Sequence, residues 1–242
     1  VKPFLGRRIL VTGAGSGIGR TCARRLADLG AELILAGRRV DALRETLPQA
    51  VHLPLDHTDD HAVAKFAAEC PALDGMVLGA GALVTGSVER TSAACFDRMI
   101  AANLRGPWLL CHHLGPLLKD GGSVVLLGSN VGIRAIPDTA AYSVAKAGVH
   151  MLAQVLTLEW APRAIRCNAV APGPVHTPMV DERLRSAADP AAALEALSRV
   201  NPLRRLGREE EVAALVIHLL GDESRWTTGT VIPIDGGANA VY

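Results

Sequence analysis

Aromatic side chains are scarce in this sequence. They make up 3% of 242 residues, with only two tyrosines, and lysine occurs only four times. Blocks of like charge are also missing: 25 basic and 24 acidic residues leave a net charge of +1, which argues against nucleic acid as a main partner. The five cysteines (Cys22, Cys70, Cys95, Cys111 and Cys167) are odd in number, scattered and without a C-x-x-C, as expected for reduced thiols in a cytoplasmic chain. The opening "VKPFLGRR" has no apolar signal core, and no apolar run is long enough to span a membrane, so no membrane partner is expected. No G-x-S-x-G elbow exists for a serine hydrolase. His57 and His61 have a zinc-like spacing but no evident third ligand, so no metal is expected.

What remains is ample material for one core: 49% of residues are hydrophobic, with no linker, repeat or low-complexity segment. Short apolar runs alternate with helical patterns. Strands are expected at "RILVTG", "ELILAG", "VHLPL", "GMVLGA", "SVVLLGS", "IRCNAVAP" and "TVIPIDGG". Helices are expected over 17–29, 40–47, 59–69, 92–118 and 141–160. Strands without polar alternation imply a sheet covered on both faces. The pattern therefore predicts a single-domain α/β fold with a doubly wound parallel sheet.

The first strand runs into "TGAGSGIGRT". Ile18 stands where a G-x-G-x-x-G motif needs its last glycine; the spacing is G-x-x-x-G-x-G, on Gly13, Gly17 and Gly19. Glycines between a strand and a helix bring backbone N–H groups and the helix N-terminus close to a pyrophosphate. At the end of the second strand a carboxylate would accept from a ribose 2′-hydroxyl. Here Gly37 is followed by Arg38 and Arg39, which suit a 2′-phosphate and favour NADP(H), with NAD(H) possible. Asp56, after the third strand, could accept from the adenine amino group or could cap the next helix. His57 is expected beside the adenine.

Tyr142 and Lys146 lie four apart on a helix and so on one face. With Tyr242 terminal and so few lysines, this coincidence carries weight. A phenol with a pKa of about 10 is a poor acid or base at neutral pH, and a nearby ammonium is expected to bring it down. Ser129 ends the fifth strand, at the edge where doubly wound sheets bind ligands, and can hydrogen-bond the same substrate oxygen. Pro107 lies four residues after Asn103 and has no N–H. The helix is therefore expected to kink there and free the Asn103 carbonyl, which could hold water in a proton path to Lys146.

Together these motifs resemble the short-chain dehydrogenase/reductase family over residues 4–237. Its T-G-x-x-x-G-x-G stands as Thr12-Gly13-Ala14-Gly15-Ser16-Gly17-Ile18-Gly19, and its active-site residues fall on Asn103, Ser129, Tyr142 and Lys146. The resemblance implies a Rossmann-type fold and hydride transfer between a ketone and a secondary alcohol, with Tyr142 as general acid/base. Lys146 would lower its pKa and hold the nicotinamide ribose. It also implies cofactor contacts from Gly13, Ser16, Gly17, Ile18, Gly19, Ala80, Gly81, Tyr142, Lys146, Pro172, Gly173, Val175 and Thr177. A substrate lid over about 178–200 and a homo-oligomer, dimer or tetramer, would follow. The helices around Trp108 and over 144–158, apolar on more than one face, fit the latter.

One departure is clear: the family's N-N-A-G is Leu78-Gly79-Ala80-Gly81 here, which keeps the small pair and loses the asparagines that brace the sheet. In "GRR" and "TTGTVIPIDGG" the chain is similar in style to the L-xylulose and carbonyl reductases. Ile136, Pro174, Val175 and Met179 predict an apolar pocket for a small carbonyl or alcohol. Two other readings are kept: an NAD-linked alcohol or polyol dehydrogenase, and a cofactor-binding sensor without turnover.

Overall fold

A computed structural model describes residues 2–240. Seven parallel strands form one sheet in the order β3-β2-β1-β4-β5-β6-β7. They are β1 (Arg8–Thr12), β2 (Glu32–Gly37), β3 (Val51–Pro54), β4 (Leu73–Leu78), β5 (Leu118–Leu127), β6 (Arg166–Pro172) and β7 (Val231–Ile234). The order reverses beside β1, so a crevice opens at the carboxyl ends of β1 and β4.

Successive strand residues point to opposite faces, and each face has its own core. Leu10, Met76, Val124 and Leu126 pack on one side. The other holds Ile9, Val11, Val77 and Val125. Helices α3 (Asp60–Glu69), α5 (Gly106–Leu114) and α6 (Ala140–Trp160) cover the first face. Helices α1 (Gly17–Asp28), α2 (Val40–Thr46) and α9 (Glu209–Leu220) cover the second. In α1 the spacing of Cys22, Ala23 and Leu26 puts three buried residues on one face. Two short helices, α7 (Pro178–Arg185) and α8 (Pro190–Ser198), pack on each other beyond β6.

The expected elements are present, with two informative differences. The segment expected as a kinked helix over 92–118 is α4 (Ala93–Ile100), a π-helical turn over Ala101–Arg105, then α5. The Gly106 N–H bonds back to the Ala101 carbonyl, so the missing Pro107 N–H is absorbed by one widened turn and the helix continues. Strand β5 begins at Leu118, earlier than its apolar run at Ser123, because Leu73↔Leu118 pairs ahead of a register shift against β4.

Leu78 and Gly79, in place of the two asparagines, leave the strand pairing intact. Leu78 is 3% exposed and pairs with Thr12 on β1 and Leu126 on β5. The Thr12 hydroxyl accepts from the Gly79 and Ala80 N–H groups at 3.1 and 3.2 Å. On β6 a buried Asn168 takes up the bracing of the far edge. Its amide donates to the Thr227 carbonyl at 2.9 Å and accepts from the Thr230 N–H and hydroxyl. Asn168→Ala removes these bonds, leaving the Thr227 carbonyl to Arg166 and the Thr230 N–H without its partner, and should cost roughly 1–3 kcal/mol in urea unfolding. A loss below roughly 0.5 kcal/mol would contradict this bracing role.

Candidate active site

The carboxyl ends of β1, β4, β5 and β6 open into one cleft of about 680 Å³. The glycine turn forms one end. Gly13 has φ +69°, and a Cβ there would meet Gly79 and Ala80 backbone at 2.8 Å; a Cβ on Gly19 would meet the Gly13 carbonyl at 2.5 Å. Any side chain at either position would collide with backbone, so only glycine lets the turn close here. Ser16 caps α1 with no side-chain hydrogen bond to it, and the first turn carries no acidic residue, so the helix N-terminus is left for an anion. The chemistry of this cradle fits the pyrophosphate of a dinucleotide. Ser16, Gly17, Ile18, Ala80, Gly81, Pro172, Gly173, Val175 and Thr177 all line the same cleft. Thr177 also caps α7, accepting from the Val180 N–H at 3.4 Å.

Ser129, Tyr142, Lys146 and Asn103 meet at its centre. The β5 end carries Ser129, whose hydroxyl accepts from the Val131 N–H at 3.4 Å. Tyr142 and Lys146 come from consecutive turns of α6, with Lys146 Nζ 5.6 Å from the Tyr142 ring centre. Lys146 is 6% exposed and donates to the Leu127 carbonyl at 2.6 Å. Asn103, fully buried in the π-helical turn, donates to the Ala82 and Met99 carbonyls at 2.9 and 3.0 Å and accepts from the Ala82 N–H. Gly81 is small because Asn103 Oδ1 would lie 2.6 Å, and Lys146 Nζ 3.8 Å, from a Cβ there.

Electrostatics correct one expectation. Burial pushes the Tyr142 phenol up to about 12, with the Ser129 hydroxyl beside it pulling it back only in part. The net shift is upward, opposite to the lowering expected from Lys146 alone. Burial also brings Lys146 down to about 8, which leaves it mostly an ammonium at neutral pH. At neutral pH the phenol therefore holds its proton, as an acid that donates to a carbonyl must.

The residues expected around the adenine end do not line the cleft. Arg38 and Arg39 are exposed at the end of β2. Arg39 leans towards the glycine turn, reaching Ser16 Oγ at 3.5 Å. Arg38 has no hydrogen bond or ion pair among the described residues, and its charge helps hold the Asp56 carboxyl below its usual range after the dominant Thr58 N–H bond. Asp56 is not a helix cap: it accepts from the Thr58 N–H and hydroxyl at 3.0 and 2.8 Å, and Asp59 caps α3. The His57 ring has structural contacts of its own. It packs on Gly106 and bonds the Ala102 carbonyl at 2.8 Å, a group the π-helical turn leaves without its usual Gly106 partner. Among the described residues no three His, Cys, Asp or Glu side chains gather as for a metal.

The expected Ile136, Pro174, Val175 and Met179 line the cleft, joined by Leu184 of α7, Leu197 of α8 and Val200 just beyond it. The sequence reading missed two charged members, Arg134 and Arg183. Arg183 sits on the cleft face of α7 with Met179, Val180 and Leu184, a helical spacing that could have revealed it.

If burial rather than a partner sets Lys146, its stability effect has a sign. A lowered lysine pKa is a cost present in full below about 8 and relieved as pH rises towards 10.5. Relative to Lys146→Met, the wild type should gain about 3 kcal/mol of unfolding free energy between pH 7 and 10.5. A pH-independent difference between the two proteins would refute it.

A family profile described as enoyl-(acyl carrier protein) reductase matches residues 13–239. Levodione reductase of Leifsonia aquatica is 36% identical, covering 99% of this chain and 96% of its own. A 2-keto-3-deoxy-L-fuconate dehydrogenase of Xanthomonas campestris is 31% identical over 96% of this chain and 80% of its own. The crystal structure of levodione reductase superposes with a TM-score of 0.91 at 35% identity, over 99% of this chain and 100% of that one. The glycine cradle, the strand order and the Ser129–Tyr142–Lys146 cluster thus stand in a chain that belongs to the oxidoreductases of the short-chain dehydrogenase/reductase family.

Proposed function

We propose that the protein is an NADP(H)-dependent enzyme interconverting a ketone and a secondary alcohol. The observation that carries this reading is the meeting of Ser129, Tyr142 and Lys146 on the floor of a cleft whose other end is a pyrophosphate cradle. A bound nicotinamide dinucleotide supplies the hydride donor or acceptor. The chain supplies the rest. Ser129 donates a hydrogen bond to the carbonyl oxygen and orients it. Tyr142 gives its proton to that oxygen during reduction and takes it back during oxidation. The phenolate left behind is favoured by the Lys146 ammonium, itself steered by the Leu127 carbonyl. Asn103 fixes the β4 exit, through Ala82, against the π-helical turn.

Support for NADP(H) over NAD(H) is the guanidinium of Arg38 at the end of β2, where Gly37 stands in place of a carboxylate. The apolar walls of the substrate end suit a ketone with hydrocarbon bulk; α7 and α8 act as its lid. Trp108 and, along α6, Val144, Met151, Val155 and Leu158 are exposed on the faces away from the sheet, and we read this stripe as the contact of a homo-oligomer.

Tyr142→Phe should abolish turnover and leave cofactor affinity within about twofold. Arg38→Asp should weaken NADPH by more than about tenfold and NADH far less. Turnover that survives Tyr142→Phe would overturn the acid/base role. Equal losses for both cofactors would turn the reading to an NAD-linked dehydrogenase, and cofactor binding without any turnover in the wild type to a sensor.

A further inference from the structure

Helix α6 presents three residues at four-residue spacing towards the end of β5: Tyr142, Lys146 and His150. The first two face the cleft. His150 lies behind it, 6% exposed, and the strand exit that carries Ser129 is built around its ring. The Ser129 N–H donates to His150 Nε2 at 3.4 Å. Gly128, just before Ser129, presses on the same nitrogen so closely that a Cβ there would overlap it. Three residues after Ser129, a Cβ on Gly132 would lie 2.7 Å from His150 Cε1. Gly128 is held from the other side by its N–H bond to the Val170 carbonyl of β6 at 2.8 Å. The imidazole thus fills a slot cut by two glycines on either side of the serine, with a ring nitrogen aimed at the serine's own backbone.

We propose that His150 is a positioning residue for Ser129, acting as a neutral imidazole with its proton on Nδ1 so that Nε2 can accept from the Ser129 N–H. An imidazolium would set N–H against N–H at this contact and loosen the turn that aims the hydroxyl. The surroundings hold the ring neutral. Burial lowers its affinity for a proton first, and the Lys146 ammonium one turn away adds to this, while the Gly132 carbonyl opposes both. The polar groups facing it from β5 and its exit are the Ser129 N–H and the Gly132 carbonyl. Among the described residues no carboxylate acts on it from any neighbouring element.

The proposal rests on Ser129 as the group that binds the carbonyl oxygen, and its test separates the two ideas. Nitrogen-15 chemical shifts of the His150 ring in the folded wild type, assigned by their loss in His150→Leu or, should that variant not fold, in His150→Gln, read the tautomer without any turnover. The Nδ1–H form persisting below pH 6.5 is expected. An Nε2–H tautomer, or an imidazolium already formed at pH 6.5, would overturn the proposal even if the enzyme reading stands. The second readout is kinetic. His150→Leu should lower kcat between about tenfold and a hundredfold with cofactor affinity unchanged. His150→Gln, whose amide can accept the Ser129 N–H, should recover most of the loss and abolish any fall of kcat on the acid side that the wild type shows. A folded His150→Leu protein with wild-type kcat, or an acid limb unchanged in His150→Gln, would overturn it as well.

Discussion

The arrangement depends on keeping one ammonium inside the protein. Lys146 reaches the centre of the cleft from α6, almost out of contact with water, and its anchor is the Leu127 carbonyl at 2.6 Å. A charge in that position is costly unless its neighbours are fixed. The neighbours are accordingly small or rigid. Gly81 leaves room for it, Asn103 is tied down by three bonds, and β5 ends where its carbonyl can be given up to the lysine. The phenol of Tyr142 shares this dry environment, which keeps its proton on at neutral pH.

The second constraint is close approach. Gly13, Gly19, Gly79 and Ala80 bring β1, α1 and β4 together so tightly that a side chain cannot enter, and an anion at the α1 N-terminus would meet backbone, Ser16 and the nearby Arg39. The crevice exists because the strand order reverses beside β1. Binding end and reacting end therefore follow from one topological feature, and α6 links them.

Much of this was legible in the sequence because it lies in local patterns. Apolar runs without alternation gave the two-faced sheet, glycine spacing gave the cradle, and one helical turn between Tyr142 and Lys146 put both on the cleft face of α6. Three things were not legible, each for a physical reason. The π-helical turn arises from how Asn103 and His57 pair with distant backbone, at Ala82 and Ala102, so Pro107 alone indicated only a kink. The direction of the Tyr142 shift is set by burial, which no local motif reports. His150 looks like an ordinary helix residue until Gly128 and Gly132 fold against it.

The most direct measurement of the central claim is oxidation of NADPH and NADH, in parallel, by the wild-type protein against a panel of aliphatic, cyclic and α-diketones and keto acids, with the alcohol product quantified. The account predicts NADPH consumption matched one to one by a secondary alcohol for at least one ketone class, with NADH markedly slower. Tight NADPH binding with no ketone reduced and no alcohol oxidised in the reverse assay would contradict it.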